Sequence, residues 1–137
     1  MRAWFVALAL ICAGPMAMAQ TTPLAAPSPE GAIRVAASQD GEMVHAPVGS
    51  AIALELQATA STGTSWSVAQ KPDNLGEPTQ LSGPTSQNAG GRPLLGAPRW
   101  QVFVFDVSAA GGGPLVLEKK GRDGAVVETF TINVMAH

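Results

Sequence analysis

The sequence predicts an all-β, two-layer antiparallel sandwich of six or seven short strands. Three observations carry this reading. The apolar segments alternate with period two, as half-buried strands do. Glycine and proline are abundant, 15 and 11 of 137 residues, and punctuate the chain into short elements. No segment of ten or more residues keeps a 3.6-residue apolar period with caps at its ends.

The first element is an address rather than structure. Met1-Arg2 is a short positive start, Ala3 to Ile11 is an apolar run, and Ala17-Met18-Ala19 ends in the small-x-small pattern of a signal-peptidase site. Residues 1–19 are therefore expected to be a cleaved export signal. The run is too short for a lasting anchor, which needs roughly 20 apolar residues, so no stable membrane insertion is expected after cleavage. Cys12 follows Ile11 rather than the small residue of a lipoprotein site, and it is the only cysteine. The mature domain then has no disulfide and must be held by packing. The expected location is secreted or periplasmic. Residues 20–32, with three prolines in QTTPLAAPSPEG and no hydrophobic period, read as a disordered tether.

The folded domain is expected over residues 33–137. Ile33 and Val35 start a strand, and Met43 to His45 form a second, closed by the Pro47-Val48-Gly49-Ser50 turn. Ile52, Leu54 and Leu56 alternate with Ala53, Glu55 and Gln57, an apolar face backed by a polar one. Trp66 and Val68 resume the pattern after a polar loop, with Trp66 as the central core aromatic. Residues 71–98 hold ten glycines and prolines in 28 residues, long for a connection in a small domain. Leu75, Leu81, Leu94 and Leu95 are expected to pin it at intervals, with a short edge strand near Thr79 to Leu81. Phe103, Phe105 and Val107 share one strand face with Gln101, and Val102 and Val104 lie on its reverse. Leu115 and Leu117 face inward in the next strand, and Phe130, Ile132 and Val134 in the last.

Composition excludes several functions. A formal charge of −2 offers no electrostatic footprint for nucleic acid. Two histidines and one cysteine leave no metal cluster, and no cofactor is implied. There is no Gly-x-Ser-x-Gly, no His-x-x-x-His and no phosphate-binding glycine loop ahead of a helix. Asp106 and Glu118 are strand carboxylates of the kind that face solvent. The chain is not expected to be an enzyme.

Three loops remain. Thr59 to Trp66 (TASTGTSW) places hydroxyls around Gly63, where a positive φ is available and the side chains can bond their own turn. Leu94 to Phe103 (LLGAPRWQVF) is stiffened by Pro98 and carries Arg99 and Trp100, residue types enriched in binding hot spots. Trp100 falls either on the less buried side of its strand or in the loop itself. Lys119 to Gly124 (KKGRDG) is a hairpin tip with three positive charges and one negative. Each, taken alone, also reads as an ordinary turn.

Taken in order, the three loops resemble those of the chagasin-type cysteine peptidase inhibitors. That family's first loop reads Asn-Pro-Thr-Thr-Gly-Tyr/Phe-x-Trp. Here Thr62, Gly63 and Trp66 match, Ser61 substitutes conservatively, and Thr59, Ala60 and Thr64 depart. The second hallmark is Leu-Gly-x-Gly-Gly before a Phe-x-Phe strand. Leu95, Gly96, Ala97, Phe103 and Phe105 fit, and Pro98-Arg99 replace two glycines. The third, Tyr-x-Arg-Pro-Trp after a Leu-x-Leu strand, is represented by Leu115 and Leu117 alone, because Lys119 to Asp123 lack Arg-Pro-Trp.

The resemblance covers roughly Val35 to Val134 and implies an immunoglobulin-like antiparallel β-sandwich of about seven strands. It implies inhibition of papain-like cysteine peptidases by a three-loop wedge in the active-site cleft. Ser61, Thr62, Gly63 and Thr64 would lie nearest the catalytic thiol, the backbone crossing the nucleophile without presenting a scissile bond. Gly96, Ala97, Pro98, Arg99 and Trp100, with Lys120, Gly121, Arg122 and Asp123, would hold the groove walls. The expected partner is a papain-like peptidase met by a monomeric inhibitor. Two alternatives stay open at this point: an envelope binding module that recognises another protein or a glycan through the same loops, and an envelope structural domain with no loop function.

Overall fold

The computed structural model describes residues 22–94 and 96–137. The export signal of residues 1–19 and the position of Leu95 lie outside the described residues. In chain order the strands are β1 (Thr22–Pro23), β2 (Ile33–Ala36), β3 (Met43–Ala46), β4 (Ala51–Ala58), β5 (Ser65–Gln70), β6 (Thr79–Pro84), β7 (Ser86–Gln87), β8 (Arg99–Asp106), β9 (Gly111–Lys120) and β10 (Val126–Ala136). Two single 3-10 turns, Ala37–Gln39 and Ala60–Thr62, interrupt them.

Eight of these strands make two four-stranded sheets, ordered β3-β10-β9-β5 and β2-β4-β8-β6. Register follows the apolar alternation. Ile52 and Leu54 of β4 stand opposite Phe105 and Phe103 of β8, and Phe130 and Ile132 of β10 opposite Leu117 and Leu115 of β9. These inward rows are buried and form the core between the layers, with Trp66 at 4% exposure. Burying one such Leu or Phe is worth about 1.5–3 kcal/mol, so the core rows dominate stability.

The architecture departs from the sequence expectation in three respects. Among the described residues the two layers hold eight strands, one more than the seven or so expected. Two outer pairings, β2 with β4 and β3 with β10, are parallel, so the sheets are mixed. Both parallel partners are four-residue edge strands reached by long connections rather than by hairpins, which removes the geometric reason for antiparallel pairing.

The third departure concerns the expected tether. Residues 22–32 do not run free. Thr22 and Pro23 pair with Gln87 and Ser86, the Leu24 amide donates to the Thr85 carbonyl at 2.8 Å, and Ala26 is buried. The Ser28 hydroxyl donates to the Glu55 carboxylate. The physical reason lies in the outer face of the second sheet. Ala53 and Val102 point there and are fully buried, with Leu81, Trp100 and Val104 partly buried around them. That apolar outer face would lie open to water without cover, and the proline-rich segment supplies the cover.

Candidate functional site

One end of the sandwich gathers the loops. At the end of β4, Ala58 stands opposite Arg99, the first residue of β8, and Pro84 at the end of β6 also meets Arg99. In the other sheet, Ser65 at the start of β5 stands opposite Lys120, the last residue of β9, and Lys120 in turn meets Val126. The connections 59–64, 85–98 and 121–125 therefore all leave from the same edge of the two layers.

The first loop is built by its own hydroxyls. The Thr59 carbonyl accepts from the Thr62 amide at 3.1 Å, from the Thr62 hydroxyl at 2.9 Å and from the Thr64 hydroxyl at 3.1 Å. The Thr64 oxygen also accepts from the Thr59 amide. Gly63 closes the 3-10 turn at φ 77°, donating to the Ala60 carbonyl at 2.9 Å. The left-handed conformation there is one that L side chains resist, which is why glycine occupies it. The threonine hydroxyls are thus spent on turn shape, while Ser61 and Thr62 remain exposed at the crest.

The third loop braces the first. Arg122 lies across Gly63 and donates from Nη2 to the Ser61 carbonyl at 3.1 Å. A Cβ at Gly63 would stand 2.7 Å from Arg122 Nε and 2.8 Å from its Cγ, so a side chain there would displace Arg122 from its place across the loop. The hairpin itself is fixed by Gly121 donating to the Ala125 carbonyl, by Gly124 donating to Gly121, and by the Asp123 carboxylate accepting from the Ala125 amide. Asp123 serves the turn, while Lys120 and Arg122 are exposed.

The second loop sits beside the first across a shallow concavity of about 210 Å³ lined by Ala60, Ser61, Pro93, Gly96, Pro98 and Arg99, among others. The Thr85 hydroxyl donates to the Pro98 carbonyl at 2.6 Å, and Asn88 organises a small sub-turn through bonds to Gly90 and Arg92. Trp100 is placed in β8 on its outer face, half-buried, and its indole N–H donates to the Leu24 carbonyl at 3.0 Å. The ring holds the N-terminal segment instead of standing free at the tip. Arg99, Pro98 and Gly96 are exposed.

Beneath the loops lies a layer that joins the two sheets. Gln101 faces inward in register with Phe103 and uses both ends of its amide on Trp66: Oε1 accepts from the Trp66 amide at 2.8 Å and Nε2 donates to the Trp66 carbonyl at 2.9 Å. The Trp66 indole N–H donates to the Gln57 carbonyl at 2.9 Å. Lys119 lies 5.5 Å from the Trp66 ring centre and pairs with Glu128 at 2.9 Å. Gln101 was legible as a polar residue on an apolar face, but its partner was not.

No protein-family model matches the chain, and no curated protein matches its sequence. Solved structures do match its fold. The crystal structure of the cysteine protease inhibitor EhICP2 from Entamoeba histolytica aligns at TM-score 0.65 with 17% identity, covering 80% of this chain and 100% of that one. The solution structure of amebosin aligns at TM-score 0.56 with 18% identity, covering 77% of this chain and 98% of that one. These likenesses concern the backbone course and bear on the fold. The chain has the immunoglobulin-like β-sandwich fold of the chagasin-type cysteine protease inhibitors.

Proposed function

We propose that this protein is an exported, monomeric inhibitor of papain-like cysteine peptidases that blocks the active-site cleft with three adjacent loops. The observation that carries the reading is the convergence of residues 59–64, 85–98 and 121–125 on one end of the sandwich, with Arg122 bonded to Ser61. The fold likeness to EhICP2 and the Thr62-Gly63 and Trp66 match support it.

In the mechanism, Ser61 to Gly63 form a crest whose backbone lies over the catalytic thiol. The crest is stiff because its hydroxyls and Arg122 already hold it, so little conformational entropy is lost on docking. Gly96 to Arg99 and Lys120 to Arg122 flank the crest as walls against the groove. No covalent step involves the inhibitor: the plug works by occupancy, and the protein is not an enzyme. Two features lower the contact area. The third loop has no tryptophan, a hot-spot type worth about 2 kcal/mol or more, and Trp100 is engaged with Leu24.

The test is a titration of the purified domain against a panel of papain-like peptidases. Stoichiometric or tight inhibition without cleavage of the domain is the expected result. No inhibition at micromolar protein would sink the reading and leave a binding module of the same fold.

A further inference from the structure

The charge on this molecule is unevenly placed. Four of its eight Lys and Arg residues, Arg92, Arg99, Lys120 and Arg122, belong to the loop-bearing end, all exposed. Asp123 is the one carboxylate within the same loops, and it faces its own turn at the Ala125 amide. The other nine Asp and Glu residues lie outside the three loops, and Glu128, in β10 beside the third-loop hairpin, is paired with Lys119. Among the described residues the ion pairs are Arg34–Glu55 and Lys119–Glu128, so none of the four tip cations has a carboxylate partner. The opposite end carries Asp106, opposite Ala51 at the start of β4, with Asp73 and Glu77 on the loop that packs beside it. An acidic protein, formal charge −2, therefore presents a cationic leading edge.

Like charges gathered at one end of a molecule repel one another and gain nothing from each other in the free protein. They gain on meeting a surface of opposite sign, and a groove with low-dielectric walls focuses that field. We propose that the loop end selects partners by charge: its partner is a protein whose groove is rimmed by Asp and Glu, and the tip cations steer the encounter. This rests on the inhibitor reading above and names the subset of cysteine peptidases it addresses. Arg99 beside the second loop and Lys120 beside the third lie on opposite flanks of the crest, so both rims of the groove are addressed. Arg122 has a double duty, because its guanidinium also holds Ser61.

Electrostatic steering shows itself in the association rate rather than in the dissociation rate. The experiment measures onset of inhibition for wild type, for the double variant Arg99→Glu/Lys120→Glu, and for Lys71→Glu at the far end as control. Each is checked for an unchanged melting curve, and the enzymes are peptidases with acidic and with neutral groove rims. For the acidic-rimmed enzyme the wild-type association rate falls about tenfold between about 0.05 and 0.5 M salt. The double variant is slower by about tenfold at low salt and loses the salt dependence, while Lys71→Glu matches wild type. Inhibition that is salt-independent and equal in the double variant overturns the charge inference and leaves the inhibitor reading standing. Absence of inhibition of every enzyme overturns both. Retention on a sulfated polysaccharide that depends on Arg99 and Lys120, without inhibition, reassigns the tip to polyanion binding.

Discussion

At Gly63 two constraints meet in one residue. Its φ of 77° disfavours any side chain, and the Arg122 stem occupies the space a Cβ would need. Gly63→Ala is expected to destabilise the domain by about 1–3 kcal/mol and to weaken inhibition further, because Arg122 must swing away from Ser61. Denaturant midpoints of Gly63→Ala, Arg122→Ala and the double variant measure this. The coupling comes out non-additive, since removing Arg122 relieves the contact but not the backbone strain. A gain in stability for Gly63→Ala would contradict the geometry. Gln101 is the second residue on which the site depends. Gln101→Ala leaves both backbone groups of the buried Trp66 without partners, a cost of about 1–3 kcal/mol, whereas Gln57→Ala keeps the carbonyl that the indole uses and is close to neutral. Thermal melts of the two variants distinguish them.

At the scale of elements, the N-terminal segment and the second loop are one unit. β1 pairs with β7, Leu24 bonds Thr85, and Trp100 bonds Leu24, so the segment ties down the excursion that follows β6. A chain starting at residue 29 re-exposes Ala53, Val102 and the Trp100 ring. It is expected to lose about 2 kcal/mol, the scale of uncovering one buried valine. Amide exchange then quickens across Thr85 to Pro98 while the β4 and β9 amides keep their protection. Equal exchange in the two forms would show that the segment adds nothing to the loop. The sequence led away from this reading for a clear reason. A segment with three prolines and no period has no pattern of its own. Its partner surface, the outer face of β8, is signalled only by Val102, Val104 and Trp100 being apolar where a solvated face would be polar.

At the scale of the whole molecule, stability rests on packing between two sheets and on the cover over the second. Residues 22–137 contain no cysteine. The melting temperature of this domain is therefore expected to be identical with and without a thiol reductant, which a pair of calorimetric scans checks; a reductant-dependent shift would mean that Cys12 remains in the mature protein. The charge pattern belongs to this scale as well. Arg92, Arg99, Lys120 and Arg122 are separated along the chain by up to 30 positions, and their common location is a property of the topology that returns β4, β6, β8 and β9 to the same edge.

Period-two alternation by itself determined the core strands, because their inward side chains, Gln101 apart, are apolar and each step of the backbone turns the next one outward. That is why Ile52 to Leu56, Phe103 to Val107, Leu115 to Leu117 and Phe130 to Val134 were readable as core rows, and why Thr62, Gly63 and Trp66 could be recognised as a loop pattern. Tertiary structure alone decided which strands were neighbours, that two edge pairings are parallel, that Arg122 lies on Gly63, and that residues 22–28 cover the second sheet. Those outcomes depend on contacts between residues far apart in the chain, between surfaces whose complementarity appears only once both are folded, and local pattern carries no record of them.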